Sequence, residues 1–199
     1  MTRLRDPDPN DIPEEVARFL ADFPPDPMFK MLAHSPSTVQ PFIGLAQALY
    51  TTLELPVRAR ELVILTVAEG ARCDFVLTQH VPLSRNAGVD DATRELIKNG
   101  DHANPALPKH DRAVIQFAAE VVAGSRVSDE VFAAAGEFLS ARELVELLHL
   151  CGYYWTFSRL CTVLDVQLTR MYAELRGADG WTGAERPADR PPSGRGATR

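Results

Sequence analysis

The stretch Val57-Arg-Ala-Arg-Glu-Leu-Val-Ile-Leu-Thr-Val-Ala-Glu-Gly-Ala-Arg-Cys-Asp-Phe-Val-Leu-Thr-Gln-His80 decides the fold. Leu62, Val63, Leu65, Thr66 and Ala68 are dense enough for a buried helix, opened by Leu55-Pro56 and expected to end at Gly70. A second helix is expected from Asp74 to Asn86, stopped by Gly88. Cys73, Val76 and His80 recur at i, i+3 and i+7, so they share one face of it. Helical patterning continues outward. Ile12 to Leu20 opens on Pro13 and acids, and 38–52 is a further apolar segment. Asp90 and Asp91 cap a helix running to Lys98. Beyond a proline-containing linker at 100–110, helices are expected at 111–123, 128–138 and 141–165. No run alternates as strands do, so the expected fold class is all-α.

Composition narrows the function classes. The chain has 199 residues and a formal net charge of −6. A chain this long buries enough surface to need neither disulfides nor a metal. The acidic balance argues against a nucleic-acid partner, which would need clustered Lys and Arg. Three cysteines, Cys73, Cys151 and Cys161, without C-x-x-C spacing argue for reduced thiols and a cytoplasmic location. No secretory h-region and no membrane-spanning run is read. Residues 1–12 are expected to be a flexible N-terminus. Residues 13–175 are expected to form one helical domain, with halves at about 13–100 and 111–175. The Gly/Pro/Arg-rich segment 176–199, with Trp181, reads as disordered or partner-bound.

An internal echo singles out one carboxylate. Ala59-Arg-Glu-Leu-Val63 recurs as Ala141-Arg-Glu-Leu-Val145, which suggests two related helical halves. In the second copy, Ser140 and Glu143 fit a capping box. In the first, Arg58 stands where the capping serine would, and a guanidinium cannot accept a backbone N–H bond. Glu61 therefore lies inside its helix without a capping role.

Glu61, Cys73 and His80 are the catalytic candidates. A helix N-terminus lowers a thiol pKa, and Arg72 beside Cys73 would assist. His80 lies two turns further on, where a water or substrate would connect it to Cys73. Folding back after Gly70 would bring Glu61 to the same cavity. Carboxylate, thiol and imidazole together serve general acid/base or thiolate chemistry. The aromatic run Tyr153-Tyr-Trp-Thr-Phe157 near Arg159 reads first as core and second as pocket lining. His149, among Leu147, Leu148 and Leu150, reads as a hydrogen-bonded core histidine. No metal-ligand spacing or nucleotide fingerprint is present, so no metal and no cofactor is expected.

Glu61, Cys73 twelve residues on, His80 seven beyond it, and Asn86-Ala-Gly88 resemble the alkylhydroperoxidase D-like (AhpD-like) / carboxymuconolactone decarboxylase superfamily. Ser140 to Tyr154 resembles the second half of its longer members, and the likeness covers residues 25–170. The resemblance implies an AhpD-like helical bundle, assembled as a homo-oligomer such as a trimer or hexamer. It carries over Glu61, Cys73 and His80 as site residues. Redox members have a second cysteine where this chain has Val76, and Cys151 and Cys161 lie in the other half.

The first functional expectation is thus a cofactor-free decarboxylase or isomerase of a small-molecule substrate. His80 would move the proton, Glu61 would orient it, and Arg72, Val76, Tyr154 and Arg159 would bind substrate. The rivals are a one-cysteine thiol peroxidase using Cys73, and a non-catalytic helical oligomer.

Overall fold

The computed structural model describes residues 2–168. Residues 169–175 and the segment 176–199 lie outside the described residues. Among those described, the chain is all-helical and contains no strand. The helices are α1 (Glu14–Ala21), α2 (Pro27–Leu32), α3 (Pro36–Thr51), α4 (Val57–Ala71), α5 (Asp74–Asn86), α6 (Asp91–Lys98), α7 (Lys109–Ala123), α8 (Asp129–Gly136) and α9 (Ala141–Leu164). None is long and apolar enough to cross a membrane.

Helix α4 is the central post. Every residue from Ala59 to Ala68 is buried, because α5, α6, α7 and α9 pack around it. A helix covered on all sides needs apolar residues on all faces, which the stretch Leu62-Val-Ile-Leu65 provides. Its start is held by α9. Glu146 Oε2 accepts the backbone N–H groups of Glu54 and Leu55, both at 2.9 Å, while Arg142 Nε donates to Glu146 Oε1 at 2.8 Å. Arg58 ties α4 to two further elements. Its Nη2 lies 2.7 Å from Asp111 Oδ2 on α7, and its Nη1 donates to the Gly88 carbonyl at the α5–α6 turn.

Helix α4 does not stop at Gly70. It runs one residue further, and Arg72 closes it in the left-handed conformation at φ 54°. Gly70 serves packing instead. A Cβ built there would sit 2.9 Å from Val122 Cγ1, so the missing side chain lets α7 approach α4. The short helix α2 has no counterpart in the sequence reading, although Asp26-Pro27 is a cap-and-first-turn signal. Asp26 accepts from the Met28 and Phe29 N–H groups. The expected capping box on α9 is present, with Ser140 and Glu143 bonding each other's backbone. Residues 2–12, expected to be flexible, lie against the rest. Pro7 is buried, and the Arg3 N–H donates to the Leu164 carbonyl at 2.9 Å.

His149 corrects a further expectation. It is exposed, because it falls on the outer face of α9 rather than among the core leucines. Val145, Leu148, Trp155 and Val163 are exposed on the same helix.

The Arg58 tether leaves Asp111 almost fully enclosed, so losing the cation strands a buried carboxylate. Arg58→Met should lower unfolding free energy by about 2–4 kcal/mol in urea titration. Arg58→Met/Asp111→Leu should recover much of that loss. A single variant as stable as the parent would show that the pair does not fasten the fold.

Candidate active site

The site is built where α5 and α9 run antiparallel against α4. On α5 the stripe is Cys73, Val76 and His80. On α9 it is Cys161, Ser158 and Tyr154. Cys73 meets Cys161 and Ser158, Phe75 meets Phe157 at 6.1 Å between ring centroids, and His80 meets Tyr154 edge-on at 5.1 Å. The seven-residue step from Cys73 to His80 thus matches the step from Cys161 back to Tyr154. At 1.5 Å per residue, it separates two polar stations by about 10 Å along the helix. Val76, only 1% exposed, lies between them.

The first station is a hydrogen-bond relay. Glu61 has no exposure to water. Burial alone would raise its pKa, but His80 and Arg60 outweigh burial and hold the carboxyl below its usual range. An ionised carboxylate only accepts, so His80 Nδ1–H donates to Glu61 Oε2, at 2.9 Å. In the neutral imidazole, Nε2 is then the acceptor for Tyr50 O–H at 3.2 Å. Tyr154 O–H in turn donates to Tyr50 Oη at 2.6 Å. Burial pushes the Tyr154 pKa up, which keeps it a donor. All three donors therefore point toward Glu61. Arg60 braces the chain: its guanidinium lies 4.3 Å from the Tyr50 ring centroid, and its Nε donates to Glu61 Oε1 at 3.3 Å.

The second station is a thiol pair. Cys73 is the N-cap of α5, buried itself between exposed Arg72 and Asp74. A hydrogen bond from the Cys161 thiol, the Val76 and Phe75 backbone and the Ser158 hydroxyl outweigh burial there. Together they bring the Cys73 pKa down to about 6. Cys161 moves the other way, far above the thiol range, because its proton is held by Cys73 and because it is buried. Ser158 Oγ is fully buried and has no well-formed hydrogen bond to any described neighbour, so a Cys73 thiolate is the acceptor that would satisfy it. Cys151 stays apart, pushed up to about 12 by burial. All three cysteines are free.

The sequence candidates thus divide. Glu61 and His80 are in direct contact, and Tyr154 joins them through Tyr50. Cys73 and Val76 lie further along the same face. Arg72 is exposed beside Cys73. Arg159 is not brought to either station; its guanidinium lies 5.4 Å from the ring centroid of exposed Trp155. Tyr50, Arg60, Ser158 and Cys161 were not singled out as site residues. Tyr50 and Arg60 carry no spacing signal. Ser158 and Cys161 share the helical stripe of Tyr154, but nothing in the chain says that this stripe faces Cys73. No three His, Cys, Asp or Glu side chains among the described residues are grouped to hold a metal.

The thiolate absorbance of reduced protein should titrate with a midpoint near pH 6, as the lowered Cys73 pKa requires. The stability this thiolate contributes is complete above the ordinary thiol range and is lost as pH falls through about 6. Cys161→Ala removes the leading donor and should raise the midpoint by about one to two pH units. An unchanged midpoint would show that Cys161 does not set the ionisation of Cys73.

No family model matches the chain, and no curated protein matches it significantly. Solved structures do. An uncharacterized peroxidase-related protein from Silicibacter sp. TM1040 superposes with a TM-score of 0.70 at 18% identity, over 86% of this chain and 94% of that one. An uncharacterized peroxidase-related protein from Ralstonia eutropha JMP134, described as an alkylhydroperoxidase AhpD core, gives 0.68 at 19% identity, again over 86% and 94%. A protein of unknown function from Agrobacterium tumefaciens gives 0.63 at 20% identity, over 70% of this chain and 95% of that one. Over most of its length, this chain has the all-helical AhpD-like fold of these peroxidase-related proteins.

Proposed function

We propose that the chain is a thiol-dependent peroxidase acting on hydroperoxides, with Cys73 as nucleophile. The observation that carries this reading is the setting of Cys73: an N-cap thiol ringed by hydrogen-bond donors that favour the thiolate at neutral pH. Peroxidase-related proteins with the same fold support it. The Cys73 thiolate attacks the terminal oxygen of the hydroperoxide. An S–O bond forms, the O–O bond breaks, and the alkoxide leaves with the electron pair. Cys73 becomes a sulfenic acid. A substrate lying along Val76 would reach from Cys73 toward His80, where a hydroxyl of the Tyr50–Tyr154 pair would turn to protonate the leaving alkoxide and recover its proton from solvent. A second thiol then attacks the sulfenic sulfur and releases its oxygen as water.

A second reading keeps one observation of its own. The relay is complete without Cys73, and Glu61, His80 and Tyr50 suffice for cofactor-free proton transfer in a decarboxylation or isomerisation. The two readings separate on the thiol. Reduced protein mixed with hydrogen peroxide or an organic hydroperoxide should gain a dimedone-reactive sulfenic acid or a product derived from it. Cys73→Ser should abolish this. Glu61→Gln and His80→Phe should each slow the oxidation by about 10²-fold, the usual size of a general acid/base contribution. Both variants should leave the thiolate midpoint in place, since the relay lies two turns away. A Cys73 that neither peroxide oxidises overturns the peroxidase reading.

A further inference from the structure

A thiol peroxidase needs a second sulfur to release the oxidised one, and α5 offers only Val76 at the adjacent turn. The fold provides a sulfur from elsewhere. Cys161, eighty-eight residues away in sequence, is carried by α9 to within hydrogen-bonding reach of Cys73, and it is buried with it. Both thiols are free. Ser158, one turn before Cys161 on the same helix, adds a buried hydroxyl that faces Cys73 and has no fully formed hydrogen bond among the described residues. Two sulfurs and a hydroxyl thus converge on one point in an otherwise apolar layer.

We propose that Cys161 is the resolving thiol of Cys73, so that α5 and α9 together carry a two-cysteine redox centre split between distant parts of the chain. This rests on the peroxidase reading above. After Cys73 is oxidised, the Cys161 sulfur attacks the Cys73 sulfenic sulfur. The new S–S bond forms as the S–O bond breaks, and the hydroxyl leaves as water with the Cys161 proton. An external dithiol restores both thiols with two electrons and two protons. The resting arrangement prepares this order of events. While Cys73 is a thiolate, it holds the Cys161 proton and keeps that sulfur un-ionised. Conversion of Cys73 to the neutral sulfenic acid removes the charge, and Cys161 becomes free to ionise and attack. Cys151 plays no part, because it lies apart from this pair and burial keeps it protonated.

The test uses the full chain, reduced, exposed to one equivalent of hydrogen peroxide, quenched with N-ethylmaleimide in denaturant and mapped by mass spectrometry. The parent should lose the mass of two hydrogens and yield a Cys73–Cys161 linked peptide, with Cys151 alkylated. Cys161→Ser keeps a hydroxyl donor beside Cys73, so Cys73 should still be oxidised. It should stop at a dimedone-reactive sulfenic acid and over-oxidise to sulfinic acid under excess peroxide. Turnover with a dithiol reductant should fall at least about tenfold. If the parent accumulates a Cys73 sulfenic acid while Cys161 remains alkylatable, Cys161 is not the resolving thiol, and the peroxidase reading stands. If Cys73 takes up no oxygen in either protein, the peroxidase reading falls and the resolving role with it.

Discussion

A fully buried carboxylate in the central helix constrains everything around it. Glu61 sits where α4 is covered on every side, and an unpaired charge there would cost several kcal/mol. His80 from α5 and Arg60 from α4 itself remove that penalty. Each needs support in turn. Arg60 lies over the Tyr50 ring, Tyr50 bonds His80, and Tyr154 from α9 bonds Tyr50. Stabilising one charge thus recruits α3, α5 and α9 and sets their rotation about α4. The same rotation aims the α5 and α9 stripes at each other, and this is what brings Cys161 to Cys73.

The two stations differ in chemistry and in what holds them. The relay is a chain of hydrogen bonds with one direction, ending on a carboxylate that stays ionised. The thiol pair is an asymmetric couple in which one sulfur gives up its proton because the other keeps its own. Val76 and the surrounding aromatic side chains separate them by two helical turns. The thiol pair lies at one end of this stripe and the hydrogen-bonded chain at the other. Both ends are buried, which strengthens each electrostatic interaction relative to water.

Much of the architecture was legible in the residues. The density of apolar positions from Leu62 to Ala68 marked α4 as buried. Asp90 and Ser140 marked the starts of α6 and α9 through caps whose geometry is local. The readings that missed did so where a residue's partner lies far along the chain. Gly70 looks like a helix stop, but its role is to admit Val122 of α7. His149 sits among leucines, yet the helix turns it outward. Asp26-Pro27 carried a start signal for a helix too short to show periodicity.

The sequence by itself determined the helices, the burial of α4, and the common face of Cys73, Val76 and His80, because these follow from spacing along one helix. It also set Glu61 apart, since the capping role open to Glu143 was closed to it by Arg58. Only the tertiary structure decided which atoms meet. Contact between Cys73 and Cys161, or between Tyr50, Tyr154 and His80, depends on the rotation and antiparallel register of helices joined by long stretches of chain. That register is settled by packing around a buried charge, a many-body constraint that no local spacing encodes.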